Sequence, residues 1–262
     1  MRSAPTGCPH AGTTWQARVT VITFDDSLRD RIGANLTRHD RRAHDLDGRR
    51  HAAVAIVLVD SDAELHDGDP QFPDGVDMSM VPGDTRGLDG RMIGVAGGAA
   101  FLLCRRAPRL NAHSGQWALP GGRIDDGENA IEAALRETDE ELGLRLGTDR
   151  VLGLLDDYPT RSGYVITPVV VWGGADPAMS PSPDEVQAVY RIGLHALCCD
   201  DSPRFIDIPE SDRPVVQLPL GNDLIHAPTS AVLLQFRWVG IEGRGADAAR
   251  VDEFEQPVFA WK

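Results

Sequence analysis

Apolar residues at Leu28, Ile32 and Leu36 recur every four positions behind Asp25-Asp26-Ser27, which predicts a helix capped by that polar stretch and running to about His39. Residues 51–62 (HAAVAIVLVDSD) instead form a dense β-branched run, the signature of a buried strand. Further strands are predicted at about 99–105, 151–157, 164–172 and 186–192, a helix at about 229–237, and a closing strand at 254–261. Between the first two strands the pattern fails. Residues 63–90 carry Pro70, Pro73, Pro82, many aspartates and Arg86, and read as a surface insertion. Strands interleaved with a few helices predict an α/β fold, with a tail and helix over 1–45 and the main domain over 46–262.

The helix within residues 122–144 changes the picture from fold to chemistry. With Glu137 at the origin of a helical wheel, at about 100° per residue, Glu140 and Glu141 fall within about 60° on either side. Ile131, Leu135, Thr138 and Leu142 form a separate stripe for the core, and Ala130, Ala133 and Ala134 leave room near the carboxylates. Arg136 lies four residues from both Glu132 and Glu140, within pairing distance. Acidic charge suits the first turn and Gly143 the exit. A solvated acidic helix accounts for the ion pairs, but not for three crowded carboxylates beside Pro120-Gly121-Gly122. Hard oxygen donors of this kind suit magnesium or manganese.

Composition narrows the ligand. The 262 residues are 42% hydrophobic and 25% charged, ordinary for a globular chain, with a net charge of -14. That charge argues against a non-specific grip on nucleic acid or an anionic membrane. Lys262 is the only lysine, so arginine carries almost all the positive charge. Cys8, Cys104, Cys198 and Cys199 form no CxxC pair, which favours a reducing compartment. No apolar run reaches the length of a membrane span, the N-terminus lacks a signal-peptide core, and the expected location is cytoplasmic. The Gly-rich stretch 94–98 lacks GxGxxG spacing and reads as a hairpin turn rather than a nucleotide loop.

The stretch from Gly122 to Leu144 resembles the Nudix box, G-x5-E-x7-R-E-U-x-E-E-x-G-U. Gly122, Glu128, Arg136, Glu137, Glu140, Glu141, Gly143 and Leu144 match, and Thr138 stands at a usually aliphatic position. The resemblance implies an α/β/α sandwich with a mixed sheet and a catalytic loop-helix-loop that hydrolyses a nucleoside diphosphate linked to another moiety. It implies that Glu137, Glu140, Glu141 and the Gly122 carbonyl hold Mg2+ or Mn2+, that Arg136 orients the glutamates, and that Glu128 braces the loop. A later carboxylate is expected, and Glu185 resembles it, although Asp184-Glu185 also reads as a plain turn. Glu137 and Glu185 both stand as the base.

Residues 102–122 are similar to the signature of coenzyme A pyrophosphatases, through Leu102, Leu103, Arg106, Ala107, Gly115, Pro120, Gly121 and Gly122. Cys104, Asn111 and Leu119 depart from it. Residues 158–170 resemble the T-x-S-G-F/Y segment of the same group. Coenzyme A carries a 3′-phosphate besides its pyrophosphate, and Arg105, Arg106 and Arg109 are candidates to bind it, or else form a solvated strand end. His113 suits a loop hydrogen bond, and Ser114 lacks the flanks of a nucleophile. The resemblance implies hydrolysis of coenzyme A to 3′,5′-ADP and 4′-phosphopantetheine. An ADP-ribose or related pyrophosphatase is one alternative, and a binding module without turnover another. The expected partner is a small nucleoside-diphosphate substrate; a homodimer is left open.

Overall fold

The computed structural model describes residues 20–78, 81, 84–107, 116–258 and 261. In chain order the elements are α1 (Asp26–Arg38), β1 (Arg50–Ser61), α2 (Ala63–His66), β2 (Gly98–Arg106), β3 (Trp117–Ala118), β4 (Gly121–Arg123), α3 (Ala130–Leu142), β5 (Val151–Leu154), β6 (Tyr158–Pro159) and β7 (Tyr164–Gly174). They continue with β8 (Val186–Gly193), α4 (Leu194–Leu197), β9 (Arg204–Ile208), β10 (Ser211–Leu220), β11 (Asp223–His226) and α5 (Thr229–Phe236). The Asp25 carboxylate accepts from the Leu28 amide and starts α1 as expected.

β1 lies at the centre of an eight-stranded sheet. It pairs in parallel with β7 and antiparallel with β2 and β4, so the sheet is mixed. Alternation along β1 builds two cores. Ala53, Ala55, Val57 and Val59 face the α3 side with Ala133, Ala134, Leu135 and Leu142. Ile56 and Leu58 face the other side with Leu28, Ile32 and Phe236, from α1 and α5. These are the layers of an α/β/α sandwich. Ala133 and Ala134 are fully buried in the contact with the sheet, so their small size serves close packing rather than room beside the carboxylates.

Three local expectations are corrected. The stretch 94–98 makes no hairpin turn. The amides of Gly94 and Val95 donate to the Asp67 carboxylate at 2.9 and 3.0 Å, and the chain then enters β2. The segment after β1 is not wholly superficial either. Asp69 is buried, accepting from the Tyr190 hydroxyl at 2.6 Å and the Met92 amide at 3.0 Å, and Met78 is buried as well. Nor do the described residues after Phe254 form a strand. Glu255 makes one β-bridge with Val215, and Pro257 has no N–H to extend a ladder.

A three-stranded sheet, β11-β10-β9, adds to the predicted elements. Its β10–β11 hairpin turns at Gly221-Asn222, a Gly-Asn pair that signals such a turn. β5 also ends at Leu154, short of the expected 157, because the next residues serve elsewhere. Asp156 accepts from His39, the Arg42 amide, Arg250 and Gln235. Burial opposes its charge, yet those donors hold its carboxyl far below the usual range.

Candidate active site

The carboxylates of α3 stand where they do because the helix is closed firmly at both ends. Asn129 caps the start, accepting from the Ile131 and Glu132 amides, while the Glu132 carboxylate accepts from the Asn129 amide at 2.9 Å. Glu132 is therefore occupied by the cap and does not pair with Arg136. Gly143 ends the helix at φ 62, a left-handed turn that suits glycine, and its amide donates to Asp139.

Arg136 is the hub of the site. Its Nε and Nη2 donate to Glu128 at 2.9 and 3.1 Å, and its Nη1 donates to Glu137 and Glu140, each at 2.9 Å. Nη2 also donates to the Arg123 carbonyl at 2.9 Å. One guanidinium thus ties the loop before α3 to the helix face, a use of arginine's planar fork. The bonds from Arg136 hold Glu128 below the usual carboxylate range, and Glu128 accepts from the Asp125 amide to close the loop.

Glu137 and Glu141 lie against the glycines of β4. A Cβ built on Gly122 would come within 2.2 Å of Glu137 Oε1, and one on Gly121 within 2.3 Å of the Ala53 carbonyl oxygen. Only glycine allows this approach. The Gly121 amide donates to Glu141 Oε2 at 3.3 Å. Burial raises the Glu141 carboxyl to about 7; Arg106, with Nη1 3.9 Å from Oε1, opposes the rise, and the charges of Glu137 and Glu185 add to it. Burial raises Glu137 as well, against the pull of Arg136.

Glu185 reaches this group through a loop fastened to the end of α3. The Ser180 and Ser182 amides donate to the carbonyls of Leu142 and Glu141, and the Ala107 amide donates to the Glu185 carbonyl. Among the described residues no three His, Cys, Asp or Glu side chains form a ready cluster for a metal ion. Glu137 and Glu140 are instead turned onto Arg136. The donor set nevertheless suits a hard divalent cation. Several carboxylates share one helix face, two are pushed upward by burial and mutual charge, and Gly122 lets Glu137 lie directly against the strand backbone.

On the far side of the Gly121-Gly122 strand opens a cleft of about 500 Å³. Arg50, Arg106 and Arg123 bring cations to it, and Trp117, Tyr164 and Val232 form part of its apolar wall. No local signal in the sequence marks Arg50, which the parallel β1–β7 register sets beside Tyr164 of the T-x-S-G-F/Y segment. The expected trio of arginines is divided. Successive residues of β2 point to opposite faces: Arg106 lies on the Glu141 side and also lines the cleft, whereas Arg105 takes the other face. Arg105 is buried, with its guanidinium 3.9 Å from the Phe72 ring centre and 4.9 Å from that of Trp117. It does not itself line the cleft. Arg109, Asn111, His113 and Ser114 lie outside the described residues.

Residues 91–210 match the NUDIX domain family. The protein described as uncharacterized Nudix hydrolase NudL from Escherichia coli (strain SMS-3-5 / SECEC) is 42% identical over 95 residues, 36% of this chain and 50% of the relative. Its namesake from Yersinia pestis (strain Pestoides F) is 42% identical over 99 residues, 36% of this chain and 48% of the relative. The chain therefore spans about half the length of the curated relatives it matches. Among solved structures, a MutT/nudix family protein from Enterococcus faecalis aligns at 17% identity and TM-score 0.44, over 75% of this chain and 64% of that one. A NUDIX hydrolase from Nitrosomonas europaea aligns at 16% identity and TM-score 0.42, over 76% of each chain. The similarity to the Nudix domain family thus lies in residues 91–210 of this chain.

Proposed function

We propose that the chain is a divalent-metal-dependent pyrophosphohydrolase of nucleoside diphosphates linked to another moiety. The observation that carries this reading is the seating of Glu137 and Glu141 against Gly121-Gly122, with Arg136 bracing Glu137 and Glu140 and the cleft opening beyond the same strand. Glu137, Glu140, Glu141 and the Gly122 carbonyl are the groups that would hold Mg2+ or Mn2+. When bound, such a cation neutralises pyrophosphate oxygens and makes water acidic enough to attack phosphorus. Arg136 orients the glutamates. The attacking water gives its proton to a carboxylate, Glu137 or Glu185, as one P–O bond forms and the bridging P–O bond breaks. Two phosphomonoesters result.

Within this class the reading extends to coenzyme A or a derivative, cleaved to 3′,5′-ADP and 4′-phosphopantetheine. Its support is the resemblance of residues 102–122 and 158–170 to coenzyme A pyrophosphatases, together with the arginines of the cleft. Hydrolysis of ADP-ribose is the second reading, favoured by Asn111 at a position where the coenzyme A signature has arginine. A turnover panel of coenzyme A, ADP-ribose, dinucleoside polyphosphates and NADH, with Mg2+ and with Mn2+, separates them. Coenzyme A is expected to turn over fastest and to yield the two named products. Faster turnover of ADP-ribose would replace the substrate and keep the chemistry, and no turnover of any would leave a binding module.

A further inference from the structure

The T-x-S-G stretch, Thr160 to Gly163, forms a ridge with a cavity on either side. On one side lies the cleft, reached by Arg50, Thr160, Ser162 and Gln256. On the other lies a smaller cavity of about 200 Å³, reached by Arg49, Thr160, Arg161 and Glu255 and closed by Arg213 and Tyr158. Neighbours in sequence therefore part at the ridge: Arg49 from Arg50, Arg161 from Ser162, and Glu255 from Gln256. Thr160 touches both spaces. Its hydroxyl is hydrogen-bonded to the Tyr164 carbonyl and amide, which fixes the ridge.

The small cavity concentrates positive charge in a chain whose net charge is -14. Its one carboxylate is already engaged: Glu255 is buried, and it accepts from Arg161, the Ser211 hydroxyl and the Gln256 amide. Arg161 is thereby neutralised and held in place, with its guanidinium also over the Trp261 ring. Arg213 donates to the Asp252 carbonyl, and among the described residues neither Arg213 nor Arg49 has a carboxylate partner. Two arginines without counter-charge, beside a third of fixed position, form a receptor for a compact dianion.

We propose that this cavity binds the phosphomonoester of a substrate whose diphosphate occupies the neighbouring cleft. The proposal rests on the reading of that cleft as the nucleoside-diphosphate site. On this assignment the T-x-S-G ridge sets the distance between diphosphate and monoester. Recognition of the extra phosphate then falls to Arg49 and Arg213, in place of Arg105, Arg106 and Arg109.

The test is calorimetric binding of 3′,5′-ADP and of 5′-AMP to the full chain, as wild type and as Arg49→Ala, Arg213→Ala and Arg213→Lys. Arg161 is left intact, since its loss would strand buried Glu255. The wild type should prefer 3′,5′-ADP by at least about tenfold, and each alanine variant should lose roughly tenfold of that preference, the effect of one charge-assisted contact. Arg213→Lys should keep a substantial part. Inorganic phosphate should compete with 3′,5′-ADP and not with 5′-AMP. Equal affinities in the wild type, or a preference untouched in both alanine variants, would overturn the proposal. Phosphate that binds without displacing 3′,5′-ADP would overturn the assignment to substrate and point to a free anion. Absence of coenzyme A hydrolysis beside an intact, arginine-dependent preference would count against the proposed function alone.

Discussion

Glu141 is 6% exposed and accepts one backbone bond, while Glu137 and Glu185 crowd it with like charge. Its carboxyl lies near 7, raised from an ordinary 4.5, and this sets a direction for stability without metal. Below pH 4.5 folded and unfolded chains are both protonated, and the group contributes no difference. As pH rises toward 7, the unfolded chain releases its proton while the fold retains it, so stability falls; above 7 the full penalty persists. Glutamine carries no such penalty. In chelator, Glu141→Gln should match wild type at pH 4 and be more stable by about 1 to 3 kcal/mol at pH 8. Denaturant unfolding at the two pH values measures this, and a variant less stable at pH 8 would show that Glu141 is not held at a cost. Asp223 is a second raised carboxyl, pushed by burial to about 6 although it accepts from the Trp117 indole at 2.7 Å. Arg105, stacked on Trp117, opposes that rise. Together they give the cleft wall a charged backing.

At the scale of elements, α3 is readable from the sequence because its information is local. Helical spacing brings Glu137, Glu140 and Glu141 together whatever the rest of the chain does. Its cap is equally local. Asn129→Ala should cost about 1 kcal/mol in denaturant unfolding, and no change would remove Asn129 from the cap. The segment between β1 and β2 misleads for the opposite reason. Its prolines and aspartates suggest solvent, but Asp67 and Asp69 are spent on backbone amides and a tyrosine hydroxyl from distant parts of the chain. Asp69→Ala should strand buried donors and destabilise the fold by about 1–3 kcal/mol. An unchanged unfolding midpoint would restore the surface reading. The β9–β11 sheet is hard to read because Pro214 and Pro219 interrupt β10 and its pairings emerge only in three dimensions. The splitting of Arg105 from Arg106 needs only the two-residue period of a strand, applied to polar as well as apolar positions.

For the whole molecule, two cores on either face of one mixed sheet leave the Gly121-Gly122 strand as a thin partition between a carboxylate group and a cleft. No helix among the described residues is long and apolar enough to cross a membrane. A chain of net charge -14 can handle an anionic diphosphate only where cations are concentrated, so the proposed metal site is the part of the function to test. The direct measurement is a Mn2+ binding isotherm for wild type and Glu141→Gln, with turnover recorded on the same samples. The wild type should bind Mn2+ and hydrolyse substrate in proportion to occupancy. The variant should remain folded, bind Mn2+ at least about tenfold more weakly and lose turnover. Equal binding and equal turnover in the variant would contradict the assignment of the α3 carboxylates as the metal site.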